Sequence, residues 1–246
     1  MKKIPIVEIF PTIQGEGPGL GKPSLFIRVG GCDLRCRFKG IACDTPYAVH
    51  TPKYLDKNMP ELKYGYDNWE PMDAEEIVRV IKASGMFNVV LTGGHPLLYQ
   101  DVVSEIIKMC SEQLLQVSFE IETQGTIPIT LQLANNMNVI FNVSVKLKSS
   151  NQEEGYDDKR INIEALRSFN SRNSFYKFVI TDLVNDVNEI KQIYNQHPLL
   201  IYIMPEGITR DEVLKNSIDV VKLAIREDWI FTPREHINIW DSKKGV

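Results

Sequence analysis

Residues 25–45 read LFIRVGGCDLRCRFKGIACDT: an apolar, β-branched run, a pair of glycines, then Cys32, Cys36 and Cys43 within twelve residues. A strand running into a Gly-rich, thiol-bearing loop is the pattern of an α/β protein whose site lies beyond the carboxyl end of a strand. Arg28 sits between Ile27 and Val29 in that strand, so its side chain points opposite to theirs. A charge there needs a partner. It is either an internal carboxylate such as Glu16 or Asp44, or the carboxylate of a ligand held by bidentate hydrogen bonds.

Outward from this stretch, strands and helices alternate. Ile4 to Phe10, Leu25 to Val29, Asn88 to Thr92, Val117 to Ile121, Val139 to Val143, Phe175 to Ile180 and Leu200 to Met204 read as strands. DAEE at Asp73–Glu76 starts a helix with a capping box, Ile77, Val80 and Ile81 give it one face, and Gly85 fits its stop. Further helices are expected over Asp101–Cys110, Ile163–Phe169, Asp186–Tyr194 and Arg210–Ile225. The alternation implies an α/β fold with crossover units and a mainly parallel sheet. Thr51–Met72 and Lys148–Arg160 break the rhythm and read as lids or plain surface insertions. No repeat or linker divides the chain, so residues 1–246 are expected to form a single domain.

The chain has 246 residues, 43% hydrophobic and 24% charged, with net charge −4. That suits one large domain with a sizeable core and excludes a broad nucleic-acid or membrane footprint. Pro5 and Glu8 interrupt the first apolar stretch, so it is no signal peptide, and no run reaches the roughly 20 apolar residues of a membrane span. A cytoplasmic location follows, where thiols stay reduced and clustered cysteines read as metal ligands.

Three readings compete for Cys32, Cys36 and Cys43. They could be small buried thiols, which does not suit a Gly- and Arg-containing loop. Structural zinc wants a fourth ligand, which would be Cys110 or His50. Three thiolates could instead hold an iron–sulfur cluster, leaving one iron open to a substrate. LTGGHPLLYQ follows a later strand, and its Gly93–Gly94 pair leaves backbone groups free to grip a small polar ligand. His50, His95, His197 and His236 form no metal-spaced set, and nucleotide-binding fingerprints are absent.

Together, the cysteine loop and LTGGHP resemble the radical S-adenosylmethionine (SAM) superfamily. The resemblance implies a partial, modified (β/α) barrel. PTIQGEGPGLGKPSLFIRVGGCDLRC, the tripeptide CDT at Cys43–Thr45, LTGGHP, IETQGT at Ile121–Thr126 and the closing INIWDSKKGV narrow it to the 7-carboxy-7-deazaguanine synthase family. Two departures stand out. The spacing is C-x3-C-x6-C, with Phe38–Ala42 lengthening the second gap. His95 stands where the superfamily usually has Glu, so either backbone around Gly94 grips the SAM amino group or SAM binding is weak.

The family resemblance implies a set of residue roles. Cys32, Cys36 and Cys43 would hold a [4Fe–4S] cluster whose fourth iron is chelated by SAM, and Thr45 a Mg²⁺. Gly94, Glu122, Ser144, Val145 and Lys146 would bind SAM, although Val145 replaces the proline of the family's S-P-K stretch. Ile13, Gln14, Gly15, Arg28 and Thr92 would contact the substrate, 6-carboxy-5,6,7,8-tetrahydropterin. Its ring contracts with loss of ammonia to 7-carboxy-7-deazaguanine, on the route to queuosine. A flavodoxin- or ferredoxin-type electron donor and a homodimer are implied as well. The rivals are another radical SAM enzyme, such as a glycyl-radical activase, and a non-catalytic zinc-stabilised α/β binding protein.

Overall fold

A computed structural model describes residues 2–38, 41–49, 69–151, 157–243 and 245–246. Its strands are β1 (Ile4–Ile13), β2 (Pro23–Val29), β3 (Arg37–Phe38), β4 (Ile41–Ala42), β5 (Glu70–Met72), β6 (Asn88–Gly93), β7 (Ser118–Thr123), β8 (Val139–Val143), β9 (Ser174–Ile180), β10 (Leu200–Pro205) and β11 (Ile230–Phe231). Nine of them make one sheet in the order β11-β10-β9-β8-β7-β6-β2-β1-β5, and β3 and β4 pair separately. From β2 through β11 every neighbouring pair in this sheet is parallel, while β1 runs antiparallel to both β2 and β5. The sheet is open, because β5 and β11 end it without meeting.

Strand alternation divides the two faces. Ile27, Leu91, Ile121, Phe141, Phe178 and Ile203 point to one side and join the main core, which the crossover helices cover. Arg28, Thr92, Glu120, Glu122, Asn142 and Lys177 occupy the opposite phase of their strands and line the inner face. This is the layout of a barrel that stops part-way round.

The helix over Ala74–Ser84 shows how firmly local sequence sets these elements. Asp73 accepts from the Glu76 N–H at 3.0 Å, and the Glu76 side chain accepts from the Asp73 N–H at 2.8 Å. Gly85 ends the helix with φ 65°, a left-handed turn suited to glycine. Such caps contribute about 1 kcal/mol each. The helices over Gln100–Glu112, Asn185–Gln196 and Arg210–Glu227 lie where the periodicity expects them.

Two sequence expectations change. Glu70–Met72, the end of the expected 51–72 insertion, is the edge strand beside β1, and residues 51–68 lie outside the described residues. Within 148–160, Lys148–Ser150 and Asp157–Arg160 are helical turns. Arg160 is buried, bonded to the Lys146 carbonyl and paired with Glu189. Residues 152–156 lie outside the described residues.

Candidate functional site

The three cysteines follow β2, at the carboxyl edge of the parallel sheet. Cys32, Leu34, Cys36, Phe38 and Cys43 pack as one small apolar group apart from the main core. The long second gap is taken up by an antiparallel hairpin. Arg37 faces Ala42, Phe38 faces Ile41, and the Cys43 N–H donates to the Cys36 carbonyl at 3.1 Å. Cys36 and Cys43 are therefore neighbours across a ladder, and the β3–β4 pairs lie beyond them.

All four cysteines are free thiols, and Cys110 lies in the main core, away from this loop. His50, the other zinc candidate, lies outside the described residues. Among the described residues, no three His, Cys, Asp or Glu side chains are arranged to hold a single metal ion. By chemistry the donor set, three soft thiols packed in one small group, suits an iron–sulfur cluster, whereas structural zinc would need a fourth ligand. The Leu34 N–H at 3.4 Å and the Gln124 amide at 3.2 Å both donate to Cys32 Sγ. Burial pushes the Cys32 and Cys43 thiols up to about 12.

The Gly93–Gly94 turn closes against the same loop. The Gly94 N–H donates to the Val29 carbonyl and the His95 N–H to the Gly31 carbonyl. A Cβ on Gly94 would fall 1.9 Å from the Gly31 oxygen, so only glycine allows this approach. Gln124 Nε2 donates to the Gly94 carbonyl at 2.8 Å as well as to Cys32 Sγ, joining the two loops. His95, the departure from the usual Glu, is fully buried between Asp33 and Thr123. Asp33 is held below the usual carboxylate range; burial works against its charge, but hydrogen bonds from His95 and Thr126 outweigh it.

On the inner face, Arg28 stands level with Thr92, and Glu122 with Asn142. Thr92 Oγ1 donates to Glu122 at 2.5 Å. Arg28 finds an internal carboxylate, but neither of those expected from sequence. Its partner is Glu8, directly across the β1–β2 ladder at 2.6 Å. Only Nε is used, so its two terminal nitrogens make no hydrogen bond among the described residues.

Glu16 and Asp44 belong to another network. Glu16 accepts from Lys177 at 2.5 Å and Arg234 at 3.2 Å, and Arg234 also reaches Asp44 at 2.7 Å. Burial opposes the Glu16 charge, yet the two cations hold its carboxyl well below the usual range. Lys177 also reaches Glu122 at 3.4 Å. Glu120, two residues before Glu122 on the same face, makes no ion pair among the described residues and feels Lys177 only at longer range. Its Oε1 accepts amide hydrogens from Gln14 at 2.9 Å and Asn142 at 3.0 Å. Burial, reinforced by Glu122, pushes its pKa up to about 7.

Gln14 is already engaged, donating to Glu120 on β7 and accepting from the Glu16 N–H in its own loop. Ile13 pairs with Pro23, and the Gly15 carbonyl accepts from the Glu235 N–H. Thr45 Oγ1 lies 3.5 Å from Cys43 Sγ. The Ser144 N–H bonds to the Thr123 carbonyl, Lys146 Nζ donates to Ser144 Oγ at 2.9 Å, and Val145 is buried. Thr45, Thr92, Gly94, Glu122 and Ser144–Lys146 gather at the carboxyl edge of the sheet, around the thiol loop, whereas Ile13–Gly15 leave β1 beside Pro23, at the amino end of β2. Sequence reasoning assigned no role to Glu120, Gln124, Asn142, Lys177 or Arg234. Lone polar residues in SFEIET, VIFNV and SFYKFVI are the signal for three of them, on the same argument that singled out Arg28.

A half-barrel with three free thiols beside a Gly-Gly turn at its carboxyl edge defines a class, that of enzymes built around a SAM-binding iron–sulfur centre. The family model for the radical SAM superfamily matches residues 26–194. A 7-carboxy-7-deazaguanine synthase from Clostridium acetobutylicum is 32% identical over 98% of both chains. One from Halobacterium salinarum is 29% identical over 97% of this chain and 91% of its own. Among solved structures, QueE from Escherichia coli superposes with a TM-score of 0.69 at 24% identity, covering 94% of this chain and 93% of its own, which supports the fold. The chain belongs to the 7-carboxy-7-deazaguanine synthase family of the radical SAM superfamily. No helix among the described residues is long and apolar enough to cross a membrane.

Proposed function

We propose that this radical SAM enzyme converts 6-carboxy-5,6,7,8-tetrahydropterin to 7-carboxy-7-deazaguanine with loss of ammonia, in queuosine biosynthesis, as the names of its relatives suggest. The observation that carries the reading is the thiol loop beside Gly94, opening onto a polar inner face that offers the free terminal nitrogens of Arg28. Cys32, Cys36 and Cys43 would hold the [4Fe–4S] cluster, with SAM gripped by the Gly94 backbone, Glu122 and the Ser144–Lys146 stretch. When bound, these groups supply a carbon radical through one-electron reductive cleavage of SAM.

The chain's own residues bind, orient and move protons. Arg28 would take the substrate carboxylate through its unused nitrogens. Thr92 and the Ile13–Gly15 loop would contact the ring. Glu120, with its pKa pushed up to about 7, is a group able to exchange a proton at neutral pH as ammonia departs. Thr45 would lend one hard oxygen to a Mg²⁺ that keeps several waters, since neighbouring Asp44 is committed to Arg234. The whole of 1–246 would act as one domain, in a cytoplasmic homodimer reduced by a flavodoxin or ferredoxin.

The test is anaerobic reconstitution with iron and sulfide, reduction, and electron paramagnetic resonance with and without SAM, followed by turnover of the pterin. A [4Fe–4S]⁺ signal shifted by SAM, with formation of the deazaguanine, is expected. A cluster indifferent to SAM would defeat the radical SAM chemistry. A SAM-sensitive cluster with no pterin turnover would defeat the substrate alone.

A further inference from the structure

His95 is fully buried, and each ring nitrogen engages a different loop. Nδ1 lies 2.7 Å from Asp33 Oδ1, and Nε2 lies 2.8 Å from Thr123 Oγ1. The hydrogens follow from the neighbours. The Asp33 carboxylate can only accept, so the ring hydrogen sits on Nδ1, and Nε2 of the neutral ring accepts from the Thr123 hydroxyl, whose oxygen also accepts from the Gly125 N–H at 3.1 Å. The other oxygen of the Asp33 carboxylate accepts from Thr126 Oγ1. With that tautomer each of these contacts has one donor and one acceptor.

Asp33 directly follows Cys32. Gln124, between Thr123 and Gly125, donates to both Cys32 Sγ and the Gly94 carbonyl. The His95 backbone N–H is bound to the Gly31 carbonyl. Three segments therefore meet on one imidazole: the start of the cysteine loop, the Gly93–Gly94 turn, and the turn after β7. We propose that His95 is a positioning residue. Through Asp33 it holds Cys32 against the Gly94 turn, keeping the thiol loop and the SAM-gripping backbone at one separation. The proposal rests on the radical SAM reading above.

The pairing accounts for the residue type. A carboxylate at position 95 would meet the Asp33 carboxylate at hydrogen-bonding distance, and two carboxylates at that range cannot both stay ionised without a cation between them. Here a nitrogen donor answers Asp33, and the acid that completes the pair comes from the cysteine loop instead of the Gly-Gly turn.

The experiment compares His95→Glu, the pair His95→Glu with Asp33→Asn, His95→Asn and His95→Leu in the full chain after anaerobic reconstitution. Iron and sulfide content, the thermal midpoint of the metal-free protein, and the SAM-induced change in the electron paramagnetic resonance spectrum are read for each. His95→Glu is expected to take up iron but to need roughly tenfold or more SAM for the same spectral change. Asp33→Asn in that background should recover it, since an amide at position 33 can donate to the introduced carboxylate. His95→Asn, which keeps a short donor to Asp33, should respond to SAM better than His95→Leu. This second comparison stands even if His95→Glu does not fold. Wild-type SAM response in His95→Glu, no rescue by Asp33→Asn, or equal behaviour of the Asn and Leu variants would overturn the proposal. A wild-type cluster indifferent to SAM would instead remove the radical SAM reading, and the proposal with it.

Discussion

The two halves of the site are held together by different physics. Around the thiols, among the described residues, none of the hydrogen bonds to the Cys32 or Cys43 sulfur comes from a lysine or arginine. That loop is tied by backbone groups, by Arg35 on the Cys32 and Leu34 carbonyls, by the Gln124 amide and by the His95–Asp33 pair. Across the inner face and its rim, charges answer one another: buried Glu16 with Lys177 and Arg234, part-buried Glu122 with Lys177, and exposed Asp44 with Arg234. The charged half is balanced before any ligand arrives. The thiol half is balanced only as protonated thiols, so a metal must displace those protons in order to bind. One half is built to orient a guest, the other to be completed by one.

The sharpest way to break this contrast is to remove thiols one at a time. Cys32→Ala, Cys36→Ala and Cys43→Ala should each lose the iron–sulfur absorbance and reduce turnover to background. Cys110→Ala should keep both and cost about 1–2 kcal/mol in chemical denaturation, as a small cavity in the main core. Iron retained in all three loop variants would contradict the ligand assignment.

On the charged half, Lys177→Met should cost about 3–5 kcal/mol, because it leaves buried carboxylates short of a cation. The sign with pH follows from Glu16, whose folded-state carboxyl is held below its ordinary 4.5. Its stabilisation is complete above pH 4.5 and fades as pH falls below it. The penalty of Lys177→Met should therefore shrink in acid, and a penalty independent of pH would argue that packing, not charge, is what the lysine provides.

Glu120 titrates the other way. Its folded value of about 7 lies above its ordinary 4.5, so between those values the native state binds more protons than the unfolded chain. Stability should fall as pH rises through that window and level off above it, by about 1–3 kcal/mol in all. Glu120→Gln should flatten that part of the curve and shift the pH profile of turnover. Identical profiles would remove it from the proton traffic.

The smallest effects are expected where the contrast is weakest. Deleting residues 38–41 removes the Phe38–Ile41 pair and leaves Cys36 and Cys43 with two residues between them, so iron binding should survive with a thermal midpoint only a few degrees lower. Loss of iron on that deletion would mean that the hairpin itself shapes the loop. Thr45→Ala should leave the cluster spectrum intact and weaken the response to magnesium, and an unchanged magnesium titration would withdraw that ligand.

Much of this was legible in the sequence, for reasons that also mark where legibility ends. The long parallel strands announce themselves by buried β-branched runs, and Asp73, Glu76 and Gly85 mark a helix by local hydrogen bonds alone. β5 and β11 have three and two residues, too few for a periodic signal, and they exist because a neighbouring strand offers an edge. The thiol loop is local and was readable. Arg28, a lone charge in an apolar strand, needs a carboxylate on sequence grounds alone, but its partner is set by the β1–β2 register, which includes a bulge between Ile6 and Glu8. The ties from Lys177 and Arg234 to Glu16 span 161 and 218 residues. Only the folded sheet brings such groups together.

The hairpin between Cys36 and Cys43 bears on how sites of this kind are searched for. A spacing motif measures along the chain, while a cluster is sensitive only to where sulfurs stand in space. Positions that face each other across a ladder can absorb residues between them without parting, so a gap length carries little information at that point. The adjacent Asp44–Thr45 and the Gly93–Gly94 turn have no such slack, because a side chain at Gly94 would strike the Gly31 carbonyl. A search template for such chains should fix the turn and the dipeptide and leave the gap free.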